Sequence, residues 1–240
     1  MCTVTIQYKG NNDFVLTSNR DEAPNRMSLP PKENIYKDVN LLYPEDELSG
    51  GTWIGLSENK RLICLLNGGF KIHEREVQYR QSRGLVVKDL LTLADIEDAS
   101  KYNYKNIEPF TLVIADWNKE LGFYEIVWDG NNAHFRALEL SSHIWSSSTL
   151  YDEDKKQSRS DWFEVFKTKN KLTSESLLHF HKTAGEGNMD YGVIMDRIFV
   201  KTTSITQVDK TNQNITMRYE SIKDKSVSIS TFKSPEIIND

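Results

Sequence analysis

The chain has 240 residues, 38% of them apolar, and its 30 basic and 35 acidic side chains give a net charge of −5. This is enough apolar material for a sizeable core, and the acidic excess is not the balance of a dedicated nucleic-acid binder. Two cysteines, Cys2 and Cys64, form one bridge at most, which excludes a disulfide scaffold.

Thr3 to Tyr8 alternates Val4, Ile6 and Tyr8 with polar residues, the pattern of a half-buried strand. Gly10 to Asp13 is a turn cluster, and Phe14 to Ser18 reads as the returning strand of a hairpin. Asn19 to Pro31, with three prolines and no apolar period, reads as a loop. Thr52 to Leu56 and Leu62 to Leu66 read as strands joined by the polar turn Ser57 to Lys60. Ser82 to Leu93 reads as a helix with Ser82 as N-cap, and Asp95 to Lys105 as a second, weaker one. Strands follow at Phe110 to Trp117, Gly122 to Trp128 and His134 to Leu140, linked by hairpin turns. Helices return at Asp154 to Thr168 and Ser174 to Thr183. The tail from about Phe199 to Phe232 is strand-like, with turns at Asp209 to Asn212 and Lys223 to Lys225. Strands joined by short turns are antiparallel, and helices grouped between blocks of strands predict layers rather than repeated βαβ units. No linker or repeat divides residues 1–240, so one α+β domain is expected. No run approaches the ~20 apolar residues of a membrane span, and the first twenty residues lack a signal-peptide core. A soluble, cytoplasmic protein is expected.

Cys2 carries the most chemistry. A penultimate Cys is small enough for Met1 to be removed ahead of it, which would leave an α-amine and a thiol on one residue. The amine can take the thiol proton, and the thiolate can attack an acyl carbon. If residues 3–8 pair with 14–18, Asn19-Arg20-Asp21-Glu22 lies beside Cys2. There Asp21 can hold the amine and Arg20 can lower the thiol pKa.

The run Asn19 to Glu22 resembles the signature of the NRDE family, whose best-known member is the transport and Golgi organisation protein. Further segments are similar in order along the chain: Met1-Cys2, Gly50 to Gly55, Leu65-Leu66-Asn67, Ser82 to Val86, Phe110 to Asp116 and Thr202-Thr203-Ser204. The resemblance implies a four-layer αββα sandwich of the N-terminal nucleophile hydrolase type. It implies an amidohydrolase or acyltransferase acting on a small amide or acyl compound. Cys2 would be the nucleophile, Asp21 would position its amine, Arg20 would tune its thiol and Asn67 would donate to the oxyanion. Asn19, Glu22, Trp53 and Ser147 are the candidate substrate-binding residues. It equally implies a non-catalytic alternative, a binding protein that handles haem or lipid. Two positions depart from the pattern. Trp145-Ser146-Ser147-Ser148 stands where Ser-Asn is frequent, and Lys201 precedes the threonine pair in place of Gly.

The remaining constellations carry less. The spacing of the five histidines and two cysteines matches no zinc site, and no glycine-rich phosphate loop occurs, so no cofactor is expected. His179 and His181, two apart on a helix, point to different sides. The tryptophans read as packing residues, and Cys64 as a buried thiol inside a strand. The expected partners are small molecules, with no nucleic acid and no integral membrane segment, and no pattern specifies an oligomeric state.

Overall fold

Strands β1 (Cys2–Gly10) and β2 (Asp13–Glu22) form the expected hairpin. Asn11 and Asn12 turn the chain with φ of 52° and 63°, a left-handed conformation that Asn tolerates better than most residues. The structure, a computed structural model, describes residues 2–233, apart from the side chain of Cys2. The hairpin register pairs Thr3 with Asn19 and the backbone of Cys2 with Arg20.

β2 does not stop at Ser18 but continues through Glu22. Its second neighbour explains the extension. β11 (Lys201–Thr211) pairs with it from Lys201 opposite Glu22 to Lys210 opposite Phe14. That partner lies some 180 residues away in sequence, where no local pattern reveals it.

The loop expected to run to Pro31 is also largely strand. β3 (Ser28–Tyr36) pairs with β4 (Val39–Asp46), and Pro30 and Pro31 fall at the register shift between Leu29 and Lys32. β3 lies at a sheet edge, where a missing N–H breaks no ladder. β4 buries Leu41, Leu42 and Tyr43.

β5 (Ile54–Ser57), β6 (Arg61–Asn67), β7 (Phe110–Asp116), β8 (Gly122–Trp128) and β9 (Ala133–Leu138) complete a seven-stranded antiparallel sheet, ordered β3-β4-β5-β6-β7-β8-β9. After Glu139, Leu140 and Ser141 the chain changes sheets. β10 (Ser142–Ser146), β12 (Asn214–Ser221) and β13 (Val227–Phe232) join β1, β2 and β11 in a six-stranded sheet ordered β10-β1-β2-β11-β12-β13. Phe14 of β2 meets Trp117 at 5.4 Å and Phe123 at 6.0 Å between ring centroids, so the two sheets face each other across a shared core.

Helices cover both outer faces. α1 (Arg83–Leu91) lies on the seven-stranded sheet, with Ser82 as its N-cap, accepting from the Leu85 N–H. A Cβ at Gly55 would lie 2.7 Å from Leu91, which is how closely helix and sheet approach. α2 (Glu153–Lys169) and α3 (Ser174–Thr183) lie on the six-stranded sheet, where Phe163, Leu177 and Phe180 pack with Val15 and Val193. The second, weaker helix expected at Asp95 to Lys105 is a single 3-10 segment, Ile96–Lys101. The result is an αββα sandwich, in agreement with the expected fold. Cys64 is fully buried within β6. Among the described residues no helix is long and apolar enough to cross a membrane.

The tightest junction joins two segments that are distant in sequence. Gly84, in the first turn of α1, packs backbone to backbone on Gly51 and Thr52. A Cβ on Gly51 would lie 2.8 Å from Gly84 backbone atoms, and one on Gly84 would lie 2.7 Å from the Thr52 nitrogen. Neither neighbour is a flexible side-chain end. Gly84→Ala is therefore expected to lower stability by about 1–3 kcal/mol through overpacking. Urea unfolding measures this, and a variant of unchanged midpoint would show that the helix shifts freely.

Candidate active site

Because side chains alternate along a strand, the four residues Asn19 to Glu22 divide between two environments. Arg20 and Glu22 face the seven-stranded sheet. Asn19 and Asp21 face α2 and α3.

On the sheet side, Arg20 is almost fully buried. Its guanidinium bonds Asp46 Oδ2 at 2.5 Å, donates to Thr203 Oγ1 at 3.2 Å and lies 4.6 Å from the ring centre of Trp53. Asp46, the last residue of β4, also accepts from Arg26 Nε at 2.8 Å and from the Ser49 N–H at 3.0 Å. Burial alone would raise the Asp46 carboxyl, but Arg26 and Ser49 outweigh it and hold it below its usual range. Glu22 pairs with Arg26 at 3.3 Å.

These groups form one wall of a cleft of about 360 Å³, lined among others by Arg20, Glu22, Trp53, Asn67, Arg83 and Glu108. Arg83, the first residue of α1, pairs with Glu108 at 3.2 Å. Asn67 ends β6 on the cleft, and its carboxamide makes no hydrogen bond to another described residue. Its backbone carbonyl accepts from Ser147 Oγ at 2.7 Å, and Ser148 Oγ donates to the Gly69 carbonyl at 2.6 Å. Ser147 is buried behind Asn67 with its proton already committed.

The helix side is a buried polar layer. Asp21 accepts from Thr202 Oγ1 at 2.7 Å on one oxygen and from the Tyr151 hydroxyl at 2.9 Å on the other. Burial pushes its carboxyl up, against the opposing pull of Arg159 and of these hydrogen bonds. Asn19 donates to the carbonyls of His181 (2.9 Å) and Val193 (2.7 Å). Its Oδ1 must then accept from His181 Nδ1, which fixes the Nδ1–H tautomer. His181 Nε2 accepts from Thr5 Oγ1 at 2.8 Å. Burial, with a smaller contribution from the Arg159 charge, pushes the imidazole down to about 3. His179 is exposed, so the two histidines do face different sides.

The structure thus gathers Arg20, Glu22, Trp53 and Asn67 on one cleft. The backbone of Cys2 stands opposite Arg20, while the Cys2 side chain lies outside the described residues. Asn19, a candidate substrate contact, instead faces away from the cleft and fastens α3 and the Val193 segment to β2. Ser147 likewise does not line the cleft; it braces the backbone of Asn67. Sequence reasoning missed the roles of Asp46, Tyr151, Arg83 and Glu108. Arg83 stood within the quoted Ser82 to Val86 segment, and Asp46 ends a strand that carried clear apolar residues. Tyr151 had no local signal. Among the described residues no cluster of His, Cys, Asp and Glu could hold a metal ion.

A model of the family described as Transport and Golgi organisation 2 matches residues 1–230. No curated protein sequence matches the chain. Among solved structures, an N-acylethanolamine-hydrolyzing acid amidase ortholog from Caenorhabditis elegans is similar with a TM-score of 0.62 at 12% identity, over 86% of this chain and 92% of that one. Penicillin V acylase from Agrobacterium tumefaciens gives 0.58 at 12% identity, over 96% and 86%. A variant of conjugated bile acid hydrolase from Clostridium perfringens gives 0.53 at 10% identity, over 99% and 100%. At these identities the likeness concerns the fold, which is that of N-terminal nucleophile hydrolases.

His181 makes the polar layer sensitive to pH. Its folded pKa of about 3 lies below the ordinary imidazole value of 6.5. Between those values the unfolded chain takes up a proton that the folded one refuses. Stability is therefore lost as pH falls below about 6.5, with a slope approaching about 1.4 kcal/mol per pH unit, and is unaffected by this group above it. His181→Gln removes that component. Urea melts from pH 7.5 to 4.5 should show the stability of wild type relative to the variant constant near neutrality and shrinking in acid. A difference that stays constant throughout would refute the assignment.

Proposed function

We propose, for a chain that belongs to the Transport and Golgi organisation 2 family, a cysteine amidohydrolase or acyltransferase whose nucleophile is Cys2 after removal of Met1. The observation that carries this reading is the register that sets the Cys2 backbone opposite Arg20, at a cleft where the Asn67 carboxamide bonds no other described residue. The α-amine of Cys2 takes the thiol proton, and the thiolate attacks the carbonyl carbon of a small amide. The Arg20 charge favours the thiolate. Asn67 donates to the oxyanion that forms. The C–N bond breaks as the departing nitrogen receives a proton from the α-ammonium, leaving a thioester. Water then releases the acid, or an amine takes the acyl group. Asp21, behind the strand, holds the amine in place. Glu22 and Trp53 bound the substrate's side of the cleft.

A second reading rests on Ser147. Its hydroxyl is spent on the Asn67 carbonyl, so the position where related enzymes use Asn adds no donor to the cleft. With one oxyanion donor fewer, the cleft would serve as a binding site for haem or a lipid.

Intact mass and kinetics separate the two. Under the enzymatic reading Met1 is absent, and Cys2→Ala abolishes turnover of an amide library, a loss on the order of 10⁵-fold or more. Asn67→Ala is expected to lower kcat by about 10²–10³-fold with a smaller change in KM. A protein that retains Met1, or one whose Cys2→Ala form turns over normally, would rule the mechanism out. Saturable haem binding without amide turnover would establish the second reading.

A further inference from the structure

The helix-facing layer of β2 holds a buried cation that touches no carboxylate among the described residues. Arg159 of α2 has no exposed surface. Its Nε donates to the Tyr191 carbonyl at 3.0 Å, Nη2 to the Gly192 carbonyl at 2.8 Å, and Nη1 to Thr3 Oγ1. All three acceptors are neutral, and among the described residues no carboxylate lies within ion-pair distance of this guanidinium. A buried charge of this kind is costly unless an opposite charge compensates it.

The compensating group lies one ring away. The guanidinium rests 3.7 Å from the centre of the Tyr151 ring, and the Tyr151 hydroxyl donates to Asp21 Oδ2 at 2.9 Å. Cation, aromatic face, hydroxyl and carboxylate therefore form a continuous buried series. Thr202 holds the other Asp21 oxygen, so the carboxylate has one orientation. The charged and titratable groups nearby are otherwise occupied. His181 of α3 bonds Asn19 and is neutral. Arg197, 5.5 Å from the same Tyr151 ring, pairs with Asp190 at 2.9 Å.

We propose that Arg159 and Tyr151 are positioning residues for Asp21: Arg159 favours the ionised form of the buried carboxyl, and Tyr151, its ring against that cation, donates to the carboxylate and fixes its orientation. The proposal rests on the reading of Asp21 as the group that holds the Cys2 amine. An ionised, immobile Asp21 keeps the amine at one place beside the thiol, whereas a protonated Asp21 would release it.

Carbon-13 titration of the Asp21 carboxyl tests this, with the signal assigned by its loss in Asp21→Asn. In Arg159→Met the carboxyl is expected to titrate at least one pH unit above wild type, about tenfold in proton affinity. Tyr151→Phe should shift it in the same direction, and Arg159→Lys should lie nearer wild type. The pH profile of Cys2 alkylation by iodoacetamide should move with the carboxyl. A folded Arg159→Met protein with wild-type titration overturns the proposal. If Arg159→Met does not fold, Tyr151→Phe, which removes only one oxygen, decides on the same criterion. A wild-type protein whose Cys2 resists alkylation at neutral pH would sink the nucleophile reading, yet the carboxyl titration would still decide whether Arg159 and Tyr151 govern Asp21.

Discussion

The arrangement depends on β2 being an interior strand with both faces covered. With β1 on one side and β11 on the other, both of its edges are paired, and Phe14 to Asp21 are buried. Its alternating side chains are delivered into two different layers, and a buried charge in either layer needs its own compensation. Arg20 finds Asp46 in the opposite sheet. Asp21 finds Thr202 on the neighbouring strand and Tyr151 beneath α2. One peptide bond separates two charges whose partners belong to different layers of the sandwich. A short polar sequence thereby ties together the two sheets and the α2–α3 layer.

This geometry gives the helix-facing layer a different character from the core between the sheets. The inter-sheet core is dominated by aliphatic and aromatic contacts such as Phe14 with Trp117 and Phe123. Behind the six-stranded sheet, Thr3, Thr5, Asn19 and Asp21 interlock with Arg159, His181 and Tyr151 through hydrogen bonds of fixed direction. Apolar packing tolerates small displacements, whereas a buried network of directional bonds does not. The strand that carries Asn19 to Glu22 thereby has a rigid backing.

The hairpin of β1 and β2, the three helices and the antiparallel order of β7 to β9 were legible because each is written in local periodicity and turn chemistry. α3 matched its expected limits, Ser174 to Thr183, because Thr173 closes a capping box at its start. What was not legible is non-local. Prolines at 30 and 31 read as loop because their tolerance depends on β3 lying at an edge. The extension of β2 through Glu22 depends on β11. Of the candidate site residues, Arg20, Glu22, Trp53 and Asn67 share one cleft, whereas Asn19 faces the helix layer, which the sequence reading did not separate. The predicted strand ended at Ser18, so alternation was not carried through the next four residues, and that alternation separates Asn19 from Arg20. Tyr151 lies in an irregular segment before α2, and its pairing with Asp21 spans 130 positions.

The pairing of β2 with β11 also bears on how the molecule assembles. Thr202 reaches Asp21 across 181 positions of sequence, a separation at which closing the loop is entropically slow. The β1–β2 hairpin can form early from neighbouring residues, but it then presents one bare strand edge and an uncompensated Asp21. Any fragment ending before about residue 200 would keep Asn19 to Glu22 in sequence and lack the β11 contacts that hold them in space. The polar layer is complete only where β11 lies on β2, so the contacts that hold Asp21 depend on a strand far along the sequence.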